Sequence, residues 1–140
     1  MKRLFAIMLS AIIMLSGSIN VMAADTDSPS NEIIVVRYSN TEYVSSRLSI
    51  KSKKATCTSN VIGINGTATM IKCNQTLQKK SGNSWTNVAT WSKTVQGSSL
   101  IMTNTKSSLS SGTYRLKTEA CVYAGVFPEI VVSYSTTVKC

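Results

Sequence analysis

The sequence contains no histidine. Cysteine, glutamate and tryptophan are therefore the residues left whose side chains could carry chemistry or bind a ligand. Without histidine there is no Ser–His or Cys–His catalytic pair and no imidazole ligand for a metal. Six acidic side chains are too few for a calcium site of the usual kind. The sequence contains no nucleophile elbow, phosphate-binding glycine loop or metal triad. We therefore predict no catalytic residue, no metal site and no cofactor, and a protein that is not an enzyme.

Two glutamates are the remaining candidates for acid–base chemistry. Glu119 and Glu129 fall on the last two predicted strands and could approach each other across a hairpin. Paired carboxylates about 5–10 Å apart can hydrolyse glycosides. Both glutamates lie among the outward-facing Arg115 and Lys117, however, so cross-strand ion pairs are the simpler interpretation.

The first 23 residues have the pattern of a secretory signal peptide. Met1-Lys2-Arg3 is a positive n-region, residues 4–15 are almost all apolar, and Val21-Met22-Ala23 offers small residues for cleavage. The apolar run is short beside the about 20 residues of a membrane span. We predict that residues 1–23 form a signal helix that is cleaved, leaving a secreted, extracellular chain without a stable membrane span. An uncleaved N-terminal anchor is the alternative.

The remainder of the chain has the composition and turn spacing of an all-β protein. Serine and threonine outnumber the charged residues, no apolar repeat of period 3.6 is sustained, and turn signals recur every ~8–16 residues. Residues 24–42 are predicted to be a polar leader, in which the β-branched run 32–38 is an extra strand or an arm. Residues 43–140 are predicted to form the folded domain. Within it, Asn65-Gly66 is a strong hairpin signal, since both residues accept positive φ.

One local pattern narrows the fold. The segment from Leu109 through Gly112 to Tyr114 resembles the corner of immunoglobulin-like and fibronectin-type sandwiches, where a tyrosine hydrogen-bonds back to the preceding loop. An ordinary buried tyrosine is the alternative. Leu116 stands where the antibody pattern has a cysteine, and Cys121 falls on the opposite face of the strand, so an antibody-type core disulfide is not expected. We predict an immunoglobulin-like antiparallel β-sandwich of about seven strands, with these three residues as its structural corner.

Several short motifs after Ala55 also carry a resemblance to known proteins. They are Leu77-Gln78-Lys79-Lys80, Trp85-Thr86-Asn87-Val88, Trp91-Ser92, Gly112-Thr113-Tyr114-Arg115-Leu116-Lys117, Val122-Tyr123 and Glu129. In these motifs the chain resembles a family of small secreted proteins from Gram-positive bacteria that have no assigned activity. The resemblance covers most of the chain after the signal peptide. It implies a secreted immunoglobulin-like sandwich and transfers no catalytic residue.

Four cysteines follow the signal peptide, and an even number of cysteines in an exported chain predicts disulfides. In a sandwich of this kind, the strand with Cys73 lies beside the strand with Cys121. Four cysteines allow three disulfide connectivities. The adjacency of these two strands favours a Cys73–Cys121 disulfide, which leaves a Cys57–Cys140 disulfide to fasten the C-terminus. A zinc site is the alternative, but the spacing contains no C-x2-C pair. Free thiols are a further alternative.

The formal net charge of +9 and the two tryptophans indicate where a partner could bind. Trp85 and Trp91 are six residues apart and would share one side of a regular strand, where they could stack on sugar rings. Core packing is the simpler interpretation for both tryptophans, with Trp91 the more buried. Lys79 and Lys80 lie at the turn before Trp85, and these three residues form the predicted ligand face. For the lysines, protection of exposed strand edges is the simpler interpretation.

Taken together, the sequence predicts a secreted, non-enzymatic immunoglobulin-like domain that acts by surface contact with an extracellular partner. An anionic cell-wall polymer or a glycan would suit its charge and its tryptophans. The alternative function is a carbohydrate- or cell-wall-binding module, and a membrane-active toxin is suggested by charge alone. Nucleic acid is not expected as a partner, because aromatic residues are few and the chain is exported. No oligomeric state follows from the sequence.

Overall fold

The structure, a computed structural model, describes residues 38–140. The predicted signal peptide, most of the leader and the run 32–37 lie outside the described residues. Residues 38–140 contain eight strands: β1 Thr41–Lys51, β2 Lys54–Gly63, β3 Met70–Ser81, β4 Ser84–Gln96, β5 Ser99–Lys106, β6 Thr113–Tyr123, β7 Pro128–Tyr134 and β8 Val138–Lys139. No helix in this range is long and apolar enough to cross a membrane.

The strands form two antiparallel sheets that pack against each other. The smaller sheet has the order β1-β2-β5, and the larger sheet has the order β4-β3-β6-β7. Strand β8 pairs with the first residues of β6, beyond the point where β7 ends. This architecture confirms the predicted immunoglobulin-like β-sandwich.

The turn at Asn65-Gly66 joins the two sheets, so the predicted hairpin at this position is wrong. Strand β2 pairs with β1 and β5, whereas β3 pairs with β4 and β6. Gly66 does have the expected positive φ of 81°, and the Ala68 N–H donates to the Ile64 carbonyl at 2.9 Å. The dipeptide therefore reverses the chain as predicted, but such a signal does not determine whether the flanking strands pair with each other.

The core consists of two apolar clusters. Alternate residues along each strand point inward, as the period of a β-strand requires. One cluster contains Val61, Ala68, Ile71, Cys73, Leu100, Met102, Ala120 and Val122. The other contains Leu48, Ala55, Cys57, Leu77, Leu109, Tyr114 and Leu116.

A polar belt crosses the sandwich between the two clusters. It consists of Ser46, Ser59, Gln75, Asn104 and Thr118, which come from five strands. The Asn104 amide donates to Gln75 Oε1 at 2.9 Å, and Gln75 Nε2 donates to Ser59 Oγ at 2.8 Å. Because buried polar groups are costly unless they are hydrogen-bonded, this chain of contacts allows Gln75 and Ser59 to be fully buried.

Candidate functional site

One end of the sandwich collects most of the positive charge. At this end, called the basic pole here, β1, β3 and β5 finish and β2, β4 and β6 begin. Residues 38–140 contain twelve lysines and arginines. Eight of them lie at the basic pole: Lys51, Lys53, Lys54, Lys79, Lys80, Lys106, Arg115 and Lys139.

The three glutamates of the described residues lie away from the basic pole. Glu42 and Glu129 lie near the opposite end, at the start of β1 and of β7. Glu119 lies past the middle of β6 and forms an ion pair with Lys117 at 3.4 Å. Within the described range, the lysines of the basic pole therefore have no carboxylate partner.

The turn between β1 and β2 combines charge repulsion with an unfavourable backbone. Lys51 lies directly opposite Lys54 in the antiparallel register, and like charges at such positions destabilise a strand pair. Ser52 and Lys53 have positive φ values of 48° and 59°. Glycine and asparagine are the residues preferred at such positions. The turn therefore presents three lysines at a cost in folding free energy.

A row of hydroxyl groups adjoins these lysines on the outer face of the smaller sheet. Thr56 is in register with Ser49 of β1 and with Thr105 of β5. Together with Lys51 and Lys54, these residues line a shallow cleft of about 320 Å³, called the Lys–Thr cleft here. Lysine ammonium groups and hydroxyls are all hydrogen-bond donors, so the lining suits an anionic oxygen. In the sequence, threonines at alternate positions indicate this row: Thr56 and Thr58 on β2, and Thr103 and Thr105 on β5.

The predicted ligand face is divided by the fold. Lys80 lies opposite Trp85 on the outer face of the larger sheet. Lys79 points to the other side, where its Nζ donates to Ser110 Oγ at 2.7 Å and lies 5.9 Å from the ring centre of Tyr114. The assignment of Lys79 to this ligand face is therefore wrong, because neighbouring residues of a strand point to opposite faces.

A β-bulge places the two tryptophans on opposite faces of β4. The register passes from Leu77 opposite Ala89 to Gln78 opposite Asn87, which leaves Val88 as the extra residue. One extra residue reverses the faces of all side chains beyond it. Trp91 consequently packs against both apolar clusters, and the expectation that it would share a side with Trp85 is wrong.

Arg115 links Trp85 to β7. Its guanidinium carbon lies 4.2 Å from the ring centre of Trp85 and 4.3 Å from that of Tyr134. Its Nε also donates to Gln78 Oε1 at 2.9 Å. These cation–π contacts hold the guanidinium against two rings, so part of the Trp85 surface is already covered within the chain.

A second depression lies further along the same outer face. It has a volume of about 380 Å³ and is lined by Asn74, Thr76, Asn87, Thr90, Ser92, Lys117 and Glu119. Amide, hydroxyl and charged groups of this kind can hydrogen-bond to sugar hydroxyls. Trp85 and Tyr134 do not line it, so it lacks the aromatic platform predicted for a glycan site.

All four cysteines are free thiols in the structure, contrary to the predicted disulfides. Cys73 points into the core, and Cys121 lies on the outer side of its strand. Side chains on opposite faces of a sheet cannot be bridged without moving the backbone, so the pair Cys73–Cys121 is wrong. Cys140 packs against the cluster that contains Cys57, but these two thiols are also unbonded. Burial raises the pKa of both Cys57 and Cys73 to about 11.

No group of three or more metal-ligating side chains occurs among residues 38–140.

Glu119 and Glu129 do not form a pair, because their partners on the neighbouring strands, Val132 and Val122, belong to opposite faces of the larger sheet. Glu129 instead accepts the N–H groups of Ser39 at 2.6 Å and of Asn40 at 3.0 Å. This carboxylate therefore fixes the chain immediately before β1.

Tyr114 has the geometry of a tyrosine corner. Its hydroxyl donates to the carbonyl oxygen of Ser110 at 2.7 Å, and Leu109 is buried beside it. Gly112 has a φ of 153°, and a Cβ at this position would lie 2.5 Å from Lys79 Cε. The flexible Lys79 side chain can move aside, so it is the positive φ that favours glycine here. The Tyr114 hydrogen bond fixes the loop that leads into β6.

A scan against protein-family models finds no match to this chain. A search of curated proteins also finds no match.

Proposed function

We propose that this chain is a secreted, non-enzymatic immunoglobulin-like domain that acts by surface contact with an extracellular partner, and that the partner is an anionic polymer bound at the basic pole. The observation that carries the proposal is the segregation of charge, with eight basic side chains at one end of the sandwich and no glutamate of the described residues among them. Export is proposed from the signal-peptide pattern of residues 1–23.

The unpaired charges of the basic pole produce an electrostatic field at that end of the domain. A patch of one sign attracts a ligand of the opposite sign and accelerates its association, and the effect weakens as salt increases. Six of the eight side chains are exposed: Lys51, Lys53, Lys54, Lys80, Lys106 and Lys139. A polymer with repeated negative charges would contact several of them at once, and binding would release the counterions that it carried.

The test compares two triple variants that lose the same charge. Lys54→Gln/Lys106→Gln/Lys139→Gln removes three charges from the basic pole, and Arg47→Gln/Lys72→Gln/Lys93→Gln removes three from elsewhere. Retention of the purified chain on immobilised polyanions is measured over a range of salt concentrations. We expect the pole variant to lose at least tenfold in affinity and the control less than threefold. Equal losses, or no salt-dependent binding by the original chain, would overturn the proposal.

A carbohydrate-binding module is the second candidate function, and the depression lined by Asn74 and Glu119 supports it. The Ser92 hydroxyl donates to Asn74 Oδ1 at 2.6 Å, which orients the amide within this depression. We expect Asn74→Ala to abolish binding to a neutral glycan array if the candidate is correct, with Asn65→Ala in a distant turn as the control. No binding of neutral glycans by the original chain would exclude it.

A further inference from the structure

We infer that the Lys–Thr cleft, defined by Ser49, Lys51, Lys54, Thr56 and Thr105, binds the phosphodiester groups of a linear polyol-phosphate polymer. This inference rests on the proposed function and specifies its partner.

The lining of the Lys–Thr cleft suits a phosphate group. The positive groups of the cleft are lysines, which bind phosphate as compact point charges. The three hydroxyls lie in one row across three strands. A phosphodiester presents oxygens that can accept from a hydroxyl and an ammonium group together.

The same row suits a polyol linker. Serine and threonine hydroxyls both donate and accept hydrogen bonds, so they can pair with the hydroxyl groups of the polymer between its phosphates. No aromatic side chain lines the Lys–Thr cleft, and a nucleic-acid site would use such side chains to stack the bases. None of the large exposed apolar side chains of residues 38–140 lines it either, which disfavours insertion into a membrane.

The surrounding charges favour a repeating ligand over a single ion. Lys53 lies in the turn beside the cleft, and the exposed Lys106 ends β5 at the same end of the sheet, although its register partner Ala55 belongs to the inner face. A chain of phosphates that leaves the cleft would therefore meet further lysines. A bound phosphate would also relieve the repulsion between Lys51 and Lys54, which face each other across the turn.

The fold supplies a matched pair of variants to test the hydroxyls. Thr56→Val/Thr105→Val removes two hydroxyls from the cleft and keeps the β-branched shape. Thr58→Val/Thr103→Val makes the same change one row away on the same strands, where the two Oγ1 atoms lie 3.4 Å apart. Affinity is measured by calorimetry for poly(glycerol phosphate), for polygalacturonate of similar length, for single-stranded DNA and for phosphatidylglycerol vesicles.

We expect Thr56→Val/Thr105→Val to weaken poly(glycerol phosphate) binding at least fivefold and to leave polygalacturonate binding within twofold. The control variant Thr58→Val/Thr103→Val should change the affinity for either polymer by no more than twofold. Equal effects of the two pairs, or tighter binding of polygalacturonate, DNA or vesicles by the original chain, would overturn the inference while the proposed function stands. Failure to bind any of these polyanions would instead reject the proposed function as well.

Discussion

The side-chain oxygens of Ser59 and Thr118 lie 2.6 Å apart, although the two residues belong to different sheets. The hydroxyl of Ser46 also lies 2.6 Å from Thr118 Oγ1. Through these two contacts Thr118, which is fully buried, connects β6 with β1 and β2 at the centre of the sandwich. We expect the polar belt to contribute to stability through this residue.

The first prediction concerns Thr118→Val, which keeps the shape of the side chain but removes its hydroxyl. Ser59 and Ser46 would each lose a partner in the interior, so the free energy of unfolding should fall by about 1–3 kcal/mol. Urea denaturation measures the change. The exposed Thr56→Val is the control and should stay within about 0.5 kcal/mol of the original chain. Equal midpoints for both variants would contradict a stabilising role for the belt.

The second prediction concerns the corner at Tyr114. Tyr114→Phe removes the hydrogen bond to the Ser110 carbonyl and should lower the free energy of unfolding by about 0.5–1.5 kcal/mol. Tyr43→Phe, on a half-exposed ring, is the control and should have no measurable effect. Thermal unfolding monitored by circular dichroism compares the two. A corner variant as stable as the control would show that the hydrogen bond contributes nothing.

The third prediction concerns the acid dependence of stability. Burial alone would raise the pKa of Glu129, but the hydrogen bonds that it accepts from the Ser39 and Asn40 N–H groups outweigh this effect and lower the pKa below 4.5. A lowered pKa means that the stabilisation is present above the pKa of the unfolded state and is lost as pH falls through the folded value.

Glu129→Gln should therefore destabilise the protein at neutral pH and reduce the loss of stability below about pH 4.5. Exchange of the Ser39 and Asn40 amide protons should also accelerate in this variant. Glu119→Gln is the control, because that carboxylate pairs only with Lys117 at the surface. Unchanged amide exchange in Glu129→Gln would rule out the proposed fixing of the chain before β1.

The fourth prediction concerns the thiols. At pH 8 a thiol reagent should label Cys121 and Cys140 in the folded protein, and Cys57 and Cys73 only after unfolding. The two buried thiols have a pKa of about 11, so the unfolded chain ionises first and stability should fall as pH rises from about 9 to 11. Mass spectrometry of labelled peptides checks the order. Labelling of Cys73 at the rate of Cys121 would contradict the burial.

The fifth prediction concerns the strained turn between β1 and β2. Replacing Ser52-Lys53 with Asn-Gly should raise the free energy of unfolding by about 1–2 kcal/mol, because both new residues accept a positive φ. The same change removes one lysine, so binding to an anionic polymer should weaken. Ser52→Asn alone keeps Lys53 and separates the two effects. A double variant with unchanged binding would show that Lys53 has no part in the contact.

Alternation of side chains made the strands predictable. Ile71, Cys73, Gln75 and Leu77 alternate along β3, and all four point into the core. The role of Gln75 was not predictable, because its partners Ser59 and Asn104 come from strands of the other sheet. Hydrogen bonds between sheets depend on packing, and alternation along one strand carries no information about them.

The candidate site was predicted only in its local part. Lys51, Lys53 and Lys54 are visible as a cluster in the sequence. Lys106 joins them because β5 pairs with β2, and Lys139 because β8 pairs with β6. The faces of the tryptophans were missed for a related reason. A single bulged residue, Val88, reverses the alternation and has no distinctive residue type to reveal it.

The separation of charge between the two ends of the sandwich also gives the domain a dipole moment along its strands. A negatively charged layer would exert a torque on such a molecule and orient it upright, resting on the lysine-rich turns. The turn between β6 and β7 would then face away from the layer. Val126 and Phe127, which are 84% and 85% exposed in that turn, would remain accessible to a second molecule arriving from solution.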